Sequence, residues 1–181
     1  MEDRLKYIFA NVNEWLRFAE AKNGVLVAFN GAAIWGTFQS FGAICELHPN
    51  AHVGLWIFIC ASTIAIIISL FSFMPALSLP KKEQPPQAPD KVNEYSLVYF
   101  HHIGQFNHID YLKNVYCRTA AKQPEIFPDF ELDLAHQIVL NSRTAWRKYK
   151  YFEISLCVTL IGMIFPVPIL IFRAFSKWNE Q

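Results

Sequence analysis

The sequence predicts an all-α membrane protein with about three transmembrane helices and a small helical cytoplasmic domain inserted between spans two and three. Three observations carry this prediction. No Asp, Glu, Lys or Arg occurs over residues 23–45, 47–80 or 154–172, and roughly 20 mainly apolar residues cross about 30 Å of hydrocarbon. The charged segments around these stretches repeat their apolar residues at helical spacing. A proline-rich break, "LPKKEQPPQAPDK", separates the first two stretches from the rest of the chain. The 53% hydrophobic composition, with 16 Phe and 5 Trp, favours lipid over a soluble core for the set.

The N-terminal segment, residues 1–23, reads as an amphipathic cytoplasmic helix. Leu5, Ile8, Phe9, Val12, Trp15, Leu16 and Ala19 share one face and charges fill the other. Glu2, Asp3, Glu14 and Glu20 exclude a signal peptide here. The helix is expected to run straight into the first span.

Residues 24–77 form a transmembrane hairpin, with spans at Gly24–Ile44 and Val53–Leu77 joined by "CELHPNAH". The second span is the most apolar. The first holds two registers. Gly24, Ala28, Ala32, Gly36 and Ser40 recur every four residues, and such spacing permits close helix approach without the hydrophobic effect. Asn23, Asn30 and Thr37 recur every seven, with Glu20 one turn before Asn23. An amide left alone in hydrocarbon costs roughly 4–8 kcal/mol. Asn30 therefore requires a partner within the subunit, a partner across a subunit seam, or water along a path.

Residues 78–152 hold the proline-rich linker and the helical domain. "SLVYFHHIGQFNHIDYLKNVYCRTAAK" reads as two helical pieces around Gly104, the second capped by Asn107 and burying Ile109, Leu112, Val115 and Tyr116. "QPEIFPD" interrupts the chain. A last helix starts near Asp129, where Asp129, Glu131 and Asp133 suit the positive end of the macrodipole. Its inner positions are Leu132, Ala135, Ile138, Val139, Ser142, Trp146 and Tyr149, and no Gly or Pro interrupts it before Gly162. Residues 153–173 form the third transmembrane helix and 174–181 a tail.

Most of the 16 Lys and Arg lie before the first span or between spans two and three. This puts the N-terminus and the middle segment in the cytoplasm. Arg173 and Lys177 leave a re-entrant third segment, bent at "FPVP", as the alternative to a full crossing.

No GxSxG, Walker loop, GxGxxG or metal signature is present, so no catalytic residue, metal or cofactor is expected and the chain is not expected to be an enzyme. His101, His102, His108 and His136 read as surface or packing groups, and the four cysteines as free structural thiols. The basic run "RTAWRKYKYF" serves as a positive-inside anchor on anionic lipid. Alternatively, Arg143, Arg147 and Lys148 form a phosphate site, with Tyr99, Phe100, His101 and His102 beside a base.

"NEWLRFAEAKNGVLVAFNGAAIWG" resembles the start of the Pycsar transmembrane effectors. The matching residues are Glu20, Ala21, Lys22, Asn23, Asn30 and Gly31. "SLVYFHHIG", "YLKNVY" and "LAHQIVLNSRTAWRKYKYFEIS" resemble the family's cytoplasmic part and third span. The proline-rich linker and "FPVPIL" have no counterpart in that pattern. The resemblance implies a bacterial inner-membrane protein, multi-pass with a cytoplasmic N-terminus, that acts against phage. It implies activation by cyclic CMP or cyclic UMP from a neighbouring pyrimidine cyclase, then membrane disruption and abortive infection. Membrane lipid and further copies of the chain are the other expected partners, and no nucleic acid polymer is. The family supplies no ligand-contact residues to carry over. A constitutive oligomeric ion channel or membrane scaffold without a nucleotide ligand is the alternative.

Overall fold

The computed structural model describes residues 1–47, 51–74, 95–119, 123–164 and 168. All regular structure among them is helical: α1 (Glu2–Leu47), α2 (Ala51–Phe73), α3 (Phe100–Ile103), α4 (His108–Arg118) and α5 (Asp129–Met163). The proline-rich linker, the tail, residues 48–50 of the loop between the first two spans and residues 165–167 of the "FPVP" bend lie outside the described residues, as does the side chain of Cys45. The chain divides into two units, Met1–Glu20 with Pro75–Tyr149 and Ala21–Met74 with Lys150–Gln181. The long helices α1 and α5 each contribute residues to both.

Unit 1 is built as a water-soluble core is. Leu5, Ile8 and Val12 of α1 are buried with Ile103, Phe106, Tyr111, Leu112, Val115, Ile138 and Val139. Asn107 caps α4 by accepting from Ile109 N, which satisfies one of the orphan amides of a helix start. The buried face of α4 is Tyr111, Leu112, Val115 and Tyr116. Ile109, expected inside, is exposed. At 3.6 residues per turn it lies about 90° from the centre of that face. On α5, Trp146 is likewise more exposed than expected, while Glu131, Ala145 and Lys148 are buried.

Polar ties hold these pieces. The Tyr111 hydroxyl donates to Leu97 O at 2.9 Å. Tyr116 donates to Glu131 Oε2 at 2.6 Å, joining α4 to the first turn of α5. Asn141 Nδ2 donates to Asn13 Oδ1 at 2.8 Å, joining α5 to α1. Gly104 lies close to α5: a Cβ there would stand 3.3 Å from Arg143 Cγ, so that side chain would have to shift by a few tenths of an ångström to admit one.

Unit 2 inverts this arrangement. Beside the buried Leu26, Leu55, Phe58, Ile59 and Ala65, it buries the polar side chains of Asn23, Asn30, Ser62, Ser69, Ser155 and Thr159. Its exposed ones include Val25, Phe29, Trp35, Phe38, Trp56, Ile64, Leu70, Phe71, Leu160 and Ile161. Within α2, His52–Phe73 is long and apolar enough to cross a membrane, and only 33% of it is buried. A soluble core helix would be mostly covered. Polar groups inside and apolar groups outside are what hydrocarbon selects, because lipid solvates Ile and Phe but not Ser or Asn.

Three helices meet in unit 2. Phe41 of α1 contacts Trp56 of α2 at 5.9 Å between ring centroids. Gly162 of α5 sits so close to α2 that a Cβ would meet Ala61 Cβ at 2.7 Å. The α1–α5 contact is polar and uses the seven-residue register. The four-residue register points elsewhere: Ala28, Ala32 and Gly36 are exposed, and a Cβ at Gly24 or Gly36 would meet nothing within 4 Å. The close approach expected of it is thus not made among the described residues of this chain.

Candidate functional site

Two constellations stand out, one in each unit. In unit 2, Asn30 Nδ2 donates to Leu26 O at 2.9 Å and to Thr159 Oγ1 at 3.0 Å. Thr159 in turn donates to Ser155 O at 2.9 Å. One turn earlier on α5, Ser155 donates to Ala65 O of α2 at 2.7 Å, which leaves Ser69 to donate to Ser155 Oγ at 2.8 Å. The result is a ladder of buried polar groups through α1, α5 and α2. Asn23 is fully buried on the same face of α1. Thr37 is half-buried and its hydroxyl donates back to Ala33 O at 2.8 Å. Buried Ser62 and Ser72 of α2 show no hydrogen-bond partner among the described residues. Glu20 belongs to unit 1, where it accepts from the buried Lys148 ammonium at 2.8 Å.

In unit 1, the aromatic and basic residues singled out above are brought together around α3 and α5. Phe100 is buried, stacks on Tyr149 at 5.2 Å and touches Trp15 at 5.6 Å. Tyr99 lies against Phe100 at 4.8 Å, and His101 against Trp146 at 4.0 Å. His102 Nδ1 accepts from Ser96 N at 3.0 Å. Arg143 donates from Nε to Gly104 O at 2.9 Å and from Nη2 to Phe106 O at 3.2 Å, closing the α3–α4 turn. Arg147 is exposed. Tyr99, Phe100, His101, His102, Arg143 and Lys148 thus each make a polar or ring contact with a neighbouring element. Burial, with the nearby His136, lowers the pKa of His108 and favours its neutral form. No group of three potential metal ligands occurs among the described residues.

A second feature of unit 1 has no signature in the sequence. A cleft of about 440 Å³ opens between the first turns of α1, the 96–98 segment and the end of α4. Arg4 and Arg118 line it, along with Tyr7, Ser96, Val98 and Thr119. No short motif links residues so distant in the chain. Only the seating of α1 on α4 unites them.

A helical membrane protein with a polar-lined bundle and a separately cored unit is the class these features define. The Pycsar effector protein domain family (PycTM) matches residues 4–175. The chain belongs to this family, which places it among the anti-phage defence effectors. No curated protein and no solved structure matches the chain.

Proposed function

We propose that this protein is an effector activated by a cyclic pyrimidine nucleotide, cyclic CMP or cyclic UMP, that disrupts the inner membrane of an infected bacterium and causes abortive infection. It acts without catalysis. The observation that best supports this is the buried polar ladder of unit 2 beneath an apolar exterior. Asn30, Thr159, Ser155 and Ser69 satisfy one another while the helices are together. If α1 and α5 separate, the same groups line a path for water and ions.

In this reading α1, α2 and α5 all cross the membrane, the N-terminus is cytoplasmic and several copies assemble. The nucleotide, made by a neighbouring cyclase, binds unit 1. The long helices α1 and α5, which supply residues to both units, carry the change. Converting a 1:99 equilibrium to 99:1 takes roughly 5.5 kcal/mol of ligand preference for the active state. Several copies binding together supply that more readily than one.

Dye entry into cells making the protein, with and without cyclic CMP or cyclic UMP, tests the proposal. Entry is expected only with a nucleotide. Entry that ignores both nucleotides would instead identify a constitutive channel or scaffold.

A further inference from the structure

We infer that the Glu20–Lys148 ion pair is a latch, which holds α1 to α5 and keeps the effector silent until its ligand arrives. This inference rests on the nucleotide-activated reading and names the contact that the ligand must release.

The two helices meet along a polar seam. In unit 1, Asn13 pairs with Asn141 and Glu20 with Lys148, each at 2.8 Å and each pair separated by 128 residues in the chain. In unit 2, Lys22 lies over the Phe152 ring and Asn30 bonds to Thr159, with much the same offset. A constant offset means that α1 and α5 run parallel within each unit. Glu20 is the last α1 residue of unit 1, and Lys148 the last but one of α5. Further along the same two helices come Asn30 and Thr159 of the ladder. Holding the helices together at residues 20 and 148 opposes the separation that the proposed path requires.

The burial of the pair suits a latch. The Lys148 side chain is 8% exposed and that of Glu20 44%. The ammonium is out of water and cannot leave its carboxylate cheaply, whereas the carboxylate is hydrated already. Among the described residues, Lys148 is the one hydrogen-bond and ion-pair partner of Glu20. Apolar side chains of similar volume would hold two helices at least as firmly. They could not part into water, and a charged pair can. The buried apolar residues nearest the latch on α1 and α5 are small, Ala19 and Ala145. Larger contact there passes through Phe100 of α3, which touches Trp15 at 5.6 Å and stacks on Tyr149 at 5.2 Å. A shift of α3 within unit 1 therefore bears directly on both latch helices.

The test uses the full chain in liposomes that hold a fluorescent dye, titrated with cyclic UMP and cyclic CMP. Lys148→Met removes the buried charge and the latch together. It should lower the nucleotide concentration for half-maximal dye release by about tenfold or more, because a larger competent fraction raises apparent affinity in proportion. Glu20→Gln keeps an acceptor without the charge and should fall between. Glu20→Lys combined with Lys148→Glu restores the pair in reverse and should return the response toward the parent's, which a variant damaged in folding could not do. Lys113→Met removes an exposed cation paired with Asp110 on its own helix and should leave the response unchanged. If Lys148 instead binds the ligand's phosphate, Lys148→Met raises the half-maximal concentration, and the latch is overturned. Parent-like responses in Lys148→Met and Glu20→Gln, or an equal shift in Lys113→Met, would overturn it too while leaving nucleotide activation intact. A parent that releases dye with neither nucleotide, or releases it regardless of both, would overturn the activation reading itself.

Discussion

Replacing Asn30 by Leu tests the polar ladder most directly. The substitution keeps a similar volume and removes the donor to Thr159 Oγ1 at 3.0 Å. Thr159 keeps its bond to Ser155 O at 2.9 Å, and the Leu26 carbonyl remains within α1. No polar group on α5 is therefore orphaned. The cost is one interhelical hydrogen bond, about 0.6–2 kcal/mol, or roughly 3- to 30-fold in the α1–α5 equilibrium. Thr159→Val should cost more, about 1–3 kcal/mol, because the Asn30 amide then faces an apolar surface without its partner. With both replaced, the penalty should be smaller than the sum of the two, since neither polar group remains. Unfolding in nanodiscs gives the three stabilities and dye entry gives the three activities. Strictly additive costs would refute the hydrogen-bond argument. A folded Asn30→Leu protein that still admits dye at the parent rate would remove the ladder from the proposed permeation path.

Other consequences come from single contacts. Tyr116→Phe should destabilise unit 1 by about 1.5–3 kcal/mol in thermal melts, because it strips the buried Glu131 carboxylate of a charged hydrogen bond. The same bond, with burial, pushes the Tyr116 phenol up to about 12. The folded state thus favours the protonated phenol, and this stabilisation is present below about pH 10 and lost as pH rises toward 12, which a pH series of melts would register. Glu20→Ala should destabilise more than Lys148→Met, since the first leaves a buried ammonium without its carboxylate and the second leaves a half-exposed carboxylate that water can reach. Gly162→Leu should prise α2 from α5, where even a Cβ would meet Ala61 at 2.7 Å, and a cysteine crosslink between these helices should form more slowly.

The helices were legible where periodicity and punctuation agree. Asn107 and Pro128 marked two helix starts because capping and fixed φ are local chemistry. The uninterrupted run of α1 matches the lack of any Pro through residue 47. Facing was harder. Ile109 and Trp146 were misplaced because a helix with many apolar residues offers more than one stripe, and only the tertiary partner selects among them. The two registers of α1 were both visible, but nothing local says that the polar one turns inward toward Thr159. The Arg4–Arg118 cleft was invisible for a related reason. Each arginine alone reads as an ordinary surface cation, and only the folded core brings them to one opening.

The inverted burial of the two units also separates their responses to temperature. Unit 1 hides Leu, Ile, Phe and Val from water, so opening it hydrates apolar surface and carries a positive heat-capacity change. Its cohesion weakens on cooling as that driving force fades. Unit 2 already presents much of its Ile, Trp and Phe outward, and in the membrane-spanning arrangement proposed above, parting its helices exposes buried hydroxyls and amides together with Leu55, Phe58 and Ala65, the latter to lipid rather than water. Apolar hydration contributes little there, and polar exposure lowers the heat capacity. A cold cell therefore loosens the soluble core of this protein while leaving its hydroxyl ladder nearly as firm as in a warm one.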